Sequence, residues 1–148
     1  MREKSRYSGL VAFEIADILK DNYVTKKAGS MDINQWLEAF KTNWSTHNID
    51  AVVDLFADDV EYWETPHYKL DSKDHLKQEW QPTLAQQNIQ LHTEVYNSSQ
   101  DNRHAVIWRL RYTCDGELLE SAGTYLIGLD DNGLCNFFHY VSAPKAQS

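Results

Sequence analysis

The spacing of apolar residues predicts two helices, a strand and a third helix, followed by a run of four strands. The first helix begins at Asp32, which with Gln35 fits a reciprocal capping pair. The second helix is short and is capped by Asn48 or Asp50. Each helix has one apolar stripe, formed by Ile33, Trp36, Leu37, Phe40 and Trp44 in the first and by Ala51, Val52, Leu55 and Phe56 in the second.

The remaining elements are read from alternating and continuous apolar runs. VEYWE (60–64) alternates as a strand and leads to a third helix, SKDHLKQEWQPTLAQQ (72–87), which is disturbed at Pro82. Four segments rich in aromatic and β-branched residues follow, at 89–97, 104–114, 117–129 and 134–143. Helices followed by antiparallel strands predict an α+β fold with the helices on one side of a bent sheet.

The two-residue turn Asp115-Gly116 predicts how its flanking strands pair. If Cys114 pairs with Glu117, Arg111 lies opposite Glu120 as an ion pair on one face of the sheet. The opposite face should then point inward, and the last strand adds two aromatic residues to it. This inward set is Val106, Trp108, Leu110, Tyr112, Leu119, Tyr125, Phe138 and Tyr140.

Composition limits the classes of partner and cofactor. The 148 residues carry a formal net charge of −8, from 22 acidic and 14 basic side chains, so we expect neither nucleic acid nor a membrane surface as a partner. Aromatic residues make up 12% of the chain, which suits a core or an apolar pocket. The histidine spacing matches no metal motif and the sequence has no phosphate-binding glycine loop, so we expect no metal and no cofactor.

Residues 1–30 are predicted to be an extension of a single domain at 31–148. Apolar residues at 10, 11, 15, 18 and 19 could form one face of a helix, but Glu14 and Asp17 argue against a signal peptide or membrane span. TKKAGS (25–30) resembles a cloning linker, so the extension is either an added helix or not native. The predicted register places Cys114 and Cys135 too far apart to bridge, and we expect free thiols and a cytoplasmic protein.

The order of elements resembles that of a known superfamily. Two helices, LFADDV (55–60), a strand, a third helix and long strands with DDNG (130–133) before the last one resemble the nuclear transport factor 2-like superfamily, in its SnoaL-like and ketosteroid isomerase-like branches. The resemblance covers about residues 33–144. It implies an α+β cone in which three helices and a strongly bent, mainly antiparallel sheet enclose one deep apolar pocket. It also implies a homodimer through the outer sheet face, whose residues include Ile107, Arg109, Arg111, Glu120, Phe137 and His139.

The resemblance also assigns three candidate site positions by counting from the two motifs. Glu64 falls where ketosteroid isomerases carry their carboxylate base, and Tyr125 where they carry an aspartic acid that donates a hydrogen bond to the developing oxyanion. Phe40 falls where they carry a donating tyrosine. Because Phe40 has no hydroxyl, the full oxyanion hole is absent, and steroid isomerisation of the family type is not expected.

Each candidate catalytic residue has a second interpretation. Glu64 shares a strand face with Val60 and Tyr62, which would place it at the pocket mouth, but it could also begin a solvated loop. Tyr125 is either a donor to a ligand oxygen or a core residue whose hydroxyl bonds to a neighbour such as Tyr140 or Ser121. His67 is either a further acid or base, or an exposed loop residue.

The leading functional hypothesis is an enzyme that needs no cofactor and transfers a proton on a small, apolar, oxygenated molecule. It would be of the isomerase, cyclase, dehydratase or hydrolase type, with Glu64 moving the proton and Tyr125 and His67 polarising the substrate oxygen. The alternative is a non-catalytic ligand-binding or protein-interaction module of the same fold. The residues expected to bind the substrate are Phe40, Tyr62, Trp80, Trp108, Leu110, Tyr112, Phe138 and Tyr140.

Overall fold

The computed structural model describes residues 30–145, which form three α-helices, a 3-10 helix and a six-stranded sheet. The helices are α1 (Ile33–Ser45), α2 (Ile49–Val53) and α3 (Lys73–Trp80), which the 3-10 helix Gln81–Ala85 follows directly. The strands are β1 (Phe56–Thr65), β2 (Tyr68–Lys69), β3 (Gln87–Ser98), β4 (Arg103–Cys114), β5 (Glu117–Leu129) and β6 (Cys135–Pro144). The predicted α+β fold is confirmed, whereas the helix expected near residues 10–19 falls outside the described residues.

The helix caps follow from local sequence. Asp32 Oδ1 accepts the Gln35 backbone N–H at 2.8 Å, while Gln35 Oε1 accepts the Asp32 backbone N–H at 3.0 Å, so the predicted capping pair of α1 is confirmed. Asn48, rather than Asp50, caps α2 by accepting the Ala51 N–H. Helix α3 ends at Trp80, and the chain continues as the 3-10 helix that contains Pro82.

The second helix is shorter than predicted, because part of its expected apolar stripe belongs to the sheet. Helix α2 ends at Val53, and Phe56 begins β1, where it pairs with Cys135 of β6. The Leu55 carbonyl accepts the Cys135 backbone N–H at 2.9 Å. Pairing with the distant strand β6 therefore replaces the helical bonds that the local pattern favoured.

The sheet has the strand order β2-β1-β6-β5-β4-β3 and curls around the helices. Strands β1 and β6 run parallel, and every other neighbouring pair is antiparallel. The predicted register of the β4–β5 hairpin is confirmed, since Cys114 pairs with Glu117 and Arg111 lies opposite Glu120. Arg111 Nε and Glu120 Oε2 are 3.0 Å apart on the outer face. Most of the predicted inward set is buried, while Tyr112, Leu119 and Tyr140 are half-buried.

The core lies between α1 and the concave face of the sheet, and aromatic rings form much of it. Trp36 is fully buried and packs against Phe40, Phe56 and Phe138, with ring centroids 5.0 to 6.3 Å apart. Its indole N–H donates to the Leu55 carbonyl at 2.9 Å. Because a buried Trp needs a partner for its N–H, this bond positions α1 against the start of β1.

The strand pairing requires a glycine at position 123. Gly123 lies on β5 opposite Trp108, and an added Cβ would overlap the Val141 carbonyl oxygen and lie 2.9 Å from Trp108 Cζ2. We therefore expect Gly123→Ala to lower the free energy of unfolding by about 3 kcal/mol, which chemical denaturation would measure. The control is Ala122→Ser, which adds an atom at the adjacent, exposed position of the same strand. Equal stability of the two variants would contradict the proposed overlap.

The two cysteines do not bridge. Cys114 is half-buried at the end of β4 and Cys135 is buried at the start of β6, and both are free thiols, as the register predicted. The Cys135 thiol donates to the Phe137 carbonyl at 3.1 Å, and burial raises its pKa. Within residues 30–145, no helix has the length and apolar character needed to cross a membrane.

Candidate active-site pocket

A cavity of about 170 Å³ lies between the helices and the concave face of the sheet. Helix α1, strand β1, helix α3 with the 3-10 helix, and strands β4 to β6 all contribute to its lining. The helices form one wall and the sheet forms the other, because the bend of the sheet leaves a concavity that α1 alone does not fill. Every segment of the lining is therefore held by the fold rather than by a free loop.

Most of the predicted site residues meet in this cavity. Glu64 and Tyr125 both line it. Seven of the eight expected substrate-binding residues line it with them: Phe40, Tyr62, Trp80, Leu110, Tyr112, Phe138 and Tyr140.

The other two predicted residues lie elsewhere. Trp108 is buried but does not line the cavity, because its ring stacks on Tyr125 and Tyr140 with centroids 5.3 and 5.4 Å away. His67 is exposed in the turn between β1 and β2 and does not line the cavity either. Its backbone N–H donates to Thr65 Oγ1, which fixes the turn.

Glu64 lies at a β-bulge in β1. Trp63 pairs with Lys69 and Thr65 pairs with Tyr68, so Glu64 is an extra residue on β1 with no counterpart on β2. Bulges bend a strand and redirect one side chain, and they occur often beside active sites. The predicted inward face is retained, since Tyr62 is buried and both it and Glu64 line the cavity.

The environment of Glu64 raises its pKa from 4.5 to about 7. The larger cause is burial, which disfavours the charged carboxylate, and the smaller cause is the negative charge of Glu79. At neutral pH the side chain is therefore divided between its acid and its base form. Such a carboxyl group can both accept and return a proton, as general acid–base catalysis requires.

Glu79 is the main lining residue that the sequence analysis does not predict. Glu79 is half-buried and lines the cavity next to Trp80. The signal was present, because Leu76, Glu79 and Trp80 follow the spacing i, i+3, i+4 and share one helix face. Four other lining residues were also missed: Trp44, Thr83, Gln86 and Ser121. Of these, Trp44 and Gln86 bond to each other, Trp44 Nε1 donating to Gln86 Oε1 at 2.8 Å.

Tyr125 lines the cavity and carries a hydroxyl without a hydrogen-bond partner among the described residues. The residue is 1% exposed, and its hydroxyl has no hydrogen-bond partner among residues 30–145. The alternative in which Tyr140 or Ser121 satisfies the hydroxyl is therefore not what the structure shows. Burial, followed by the nearby Tyr140 and Glu64, raises the pKa of Tyr125 well above its usual range. The hydroxyl thus remains protonated and free to donate.

The unpaired hydroxyl should cost the ligand-free protein stability. A buried polar group without a partner costs about 1 to 3 kcal/mol. We expect Tyr125→Phe to raise the free energy of unfolding by about 1 kcal/mol, measured by thermal or chemical denaturation without ligand. Tyr96→Phe is the matched control, since Tyr96 is 72% exposed and its substitution should change nothing. A loss of stability in Tyr125→Phe would show that the hydroxyl has a partner.

Helix α1 contributes Phe40 and Trp44 to the lining, and the Trp44 N–H is already bonded to Gln86. Phe40 packs edge-on against Tyr125 with centroids 6.0 Å apart and brings no hydroxyl to the cavity. Trp44 and Trp80 close the wall beside it, with centroids 4.9 Å apart. No group of three or more side chains suited to a metal ion occurs in the part of the chain that the structure describes.

A model of the SnoaL-like domain family matches residues 34–134. The chain belongs to this family. The matched segment runs from the first turn of α1 to the turn before β6, and so contains every cavity wall except β6. No curated protein matches the sequence.

Solved structures with the nuclear transport factor 2-like fold resemble this SnoaL-like domain at low sequence identity. The Δ5-3-ketosteroid isomerase of Mycobacterium sp. is 17% identical with a TM-score of 0.60, over 74% of this chain and 95% of that one. A putative polyketide cyclase from Xanthomonas campestris is 13% identical with a TM-score of 0.59, over 70% and 84%. RV0760c from Mycobacterium tuberculosis, in complex with estradiol-17beta-hemisuccinate, is 19% identical with a TM-score of 0.59, over 70% and 88%. At these identities the likeness shows the fold.

Proposed function

We propose that this SnoaL-like domain is an enzyme that transfers a proton on a small, apolar, oxygenated molecule held in the cavity. One observation carries the proposal: the cavity contains both Glu64, whose pKa is about 7, and Tyr125, whose buried hydroxyl has no partner among residues 30–145. A base and a hydrogen-bond donor in one aromatic-lined cavity are the groups that proton abstraction next to a carbonyl requires.

The reaction begins with the ionised form of Glu64. Its carboxylate takes a proton from a carbon next to the substrate carbonyl, and negative charge develops on the carbonyl oxygen. Tyr125 donates its hydroxyl to that oxygen, and the apolar surroundings strengthen this bond relative to water. The protonated Glu64 then returns the proton to another carbon, which is isomerisation, or to a departing hydroxyl, which is dehydration. His67 has no part in this scheme, because it is exposed outside the cavity.

The cavity volume restricts the substrate to about one ring. An apolar cavity of about 150 Å³ in another protein holds a benzene molecule. The cavity here, at about 170 Å³, encloses a similar volume. A four-ring steroid exceeds that space, which agrees with the absence of the second donor at Phe40. The shared fold supports the proposal at the level of chemistry only, since it includes an isomerase and a putative cyclase.

Deuterium exchange tests the proposal directly. Single-ring ketones such as acetophenone would be incubated in deuterium oxide with the protein, and loss of the proton signal next to the carbonyl would be followed by NMR. The proposal expects exchange well above the rate in buffer alone. Binding of the ketones without exchange would favour the non-catalytic ligand-binding module, and absence of both would overturn the proposal.

We also propose that the outer sheet face pairs with a second copy of the chain. Three apolar residues on adjacent strands are exposed there, Ile107 by 39%, Leu126 by 42% and Val141 by 43%. They lie among charged residues that include the Arg111–Glu120 pair, a mixture typical of interfaces. We expect a dimer by light scattering and a monomer for Leu126→Lys. Leu84→Lys is the control, because Leu84 is 48% exposed on the 3-10 helix, away from this face. A monomeric wild type would overturn the proposal.

A further inference from the structure

The charged residues that line the cavity, among those the structure describes, are all acidic. Glu64 and Glu79 both line it, while no lysine, arginine or histidine among residues 30–145 does. Both carboxyl groups are half-buried, whereas Tyr125 is fully buried. The charge of Glu79 already disfavours the ionised form of Glu64. The two carboxyl groups therefore lack the opposite charge that would stabilise them together.

The walls around these carboxyl groups suit a cation. Eight of the fourteen lining residues are aromatic. Trp80 is adjacent in sequence to Glu79, and its ring packs against Trp44 and Phe40 with centroids 4.9 and 5.5 Å away. Aromatic faces attract cations through the ring quadrupole, most strongly for Trp and more strongly where water is excluded. The carboxyl groups and the rings thus select for the same sign of charge.

A second, independent observation points to a ligand in the cavity. Tyr125 lines the cavity, and its buried hydroxyl has no partner among the described residues. Buried polar groups without a protein partner are uncommon and indicate water or a ligand. A ligand that reaches the Tyr125 hydroxyl therefore needs an acceptor oxygen there.

We propose that the substrate is a single-ring amine: a protonated amino group binds at Glu79 and an acceptor oxygen binds at Tyr125. The inference rests on the proposed function of the same cavity and names its substrate class. An amine at Glu79 leaves Glu64 free to take the proton. Its positive charge also offsets the repulsion between the two carboxyl groups, so that Glu64 ionises more readily when the substrate is bound. A carboxylate-bearing ligand would instead meet two like charges in the cavity.

A matched ligand series tests the substrate class on the wild-type protein. The probes are para-aminomethyl acetophenone, its neutral para-hydroxymethyl analogue and the anionic para-acetylbenzoate, measured by calorimetry at about pH 8, where Glu64 is ionised. The cation should bind about tenfold more tightly than the neutral analogue, in line with the strength of a desolvated cation–π contact. The anion should show the weakest binding. Equal binding of cation and neutral analogue, or preference for the anion, would overturn the inference.

A variant pair then locates the selectivity. Glu79→Gln should lower the cation-to-neutral ratio to well below ten, although Glu64 and the aromatic rings of the lining still favour the cation. Asp74→Asn removes the same charge from the same helix but at an exposed position that does not line the cavity, so it should keep the ratio near ten. An unchanged ratio in Glu79→Gln would show that Glu79 does not bind the amino group. The melting temperature of each variant shows whether it is folded. The ligand series on the wild-type protein tests the substrate class even if neither variant folds.

Failure of this inference and failure of the proposed function give different results. If the neutral ketone binds and exchanges its proton as well as the cation does, the amine class is wrong while the proton-transfer function stands. If the cation alone binds and no ketone exchanges, the cavity binds amines and the enzyme proposal is wrong. If no probe binds and none exchanges, both are overturned.

Discussion

Glu64→Gln is expected to lower the rate of proton exchange by about 100- to 10,000-fold, the range that general acid–base groups contribute. Glutamine has nearly the same shape but neither accepts nor returns a proton at neutral pH. The NMR exchange assay with a single-ring ketone measures this loss. Because Gln preserves the size of the side chain, ligand affinity should change far less than the rate.

The pH dependence of the wild-type rate provides a second measure of the same residue. Only ionised Glu64 can take the proton, so the rate should rise as pH increases through about 7 and then level off. Removing the Glu79 charge in Glu79→Gln should move this midpoint to lower pH, since Glu79 is the smaller of the two causes of the raised pKa. Burial, the larger cause, remains in that variant. A flat profile, or a midpoint near 4.5, would show that Glu64 does not lie in this environment.

The free energy of unfolding should also change with pH, in the direction set by the raised pKa of Glu64. The folded protein holds the Glu64 proton more tightly than the unfolded chain, whose carboxyl keeps the ordinary pKa of 4.5. Wild-type stability is therefore expected to fall as pH rises from 4.5 to about 7, as far as this residue contributes. Glu64→Gln should lack this component. Glu61→Gln is the control on the same strand, since Glu61 is exposed and does not line the cavity.

In the exchange assay, full activity of Glu64→Gln would exclude Glu64 as the base.

Trp36→Ala is expected to lower the free energy of unfolding by about 3 to 5 kcal/mol, the range for truncating a buried Trp. The substitution removes a fully buried ring that packs on Phe40 and Phe56, and it leaves the Leu55 carbonyl with one donor fewer. For a domain of this size the melting temperature should fall by about 10 to 20 °C. Differential scanning calorimetry measures both quantities.

Two further variants separate packing from the hydrogen bond. Trp36→Phe keeps a ring but loses the indole N–H, so we expect a smaller loss than for Trp36→Ala. The Leu55 carbonyl still accepts the Cys135 N–H in that variant, which limits the cost of the lost bond. Trp63→Ala removes a half-buried Trp whose N–H bonds the exposed Glu61, and it should cost less than Trp36→Ala. Similar losses at positions 36 and 63 would contradict the placement of the core.

Local sequence determined the helix cap, the hairpin turn and the inward face of β1, because each depends on residues that are close together in the chain. The capping pair of α1 joins Asp32 and Gln35, and the turn at Asp115-Gly116 sets the β4–β5 pairing. Both central residues of that turn have positive φ, 53° and 78°, a conformation that Asp-Gly adopts readily. Period-two alternation likewise placed Tyr62 and Glu64 on the inner face. Interactions over a few residues are encoded by those residues, and so a single sequence sufficed.

Tertiary structure alone decided the features that depend on distant segments. Phe56 joined the sheet because β6 supplies its pairing partner, although its spacing fits α2 equally well. The bulge at Glu64 arises from pairing with β2, a strand of only two residues that carries no alternating pattern. Trp108 stacks behind Tyr125 instead of lining the cavity, which alternation cannot show because both residues point inward.

The candidate site divides in the same way. Sequence and resemblance together placed a carboxyl group, a phenol and an aromatic lining in one pocket. Glu79, the unpaired hydroxyl of Tyr125 and the volume of about 170 Å³ emerged only from the packed structure. The cavity is the space that side chains from seven segments of the chain leave unfilled. Whether a hydroxyl lacks a partner likewise depends on every residue around it. Both are properties of the whole packing, whereas the identity and the face of a residue are properties of its local sequence.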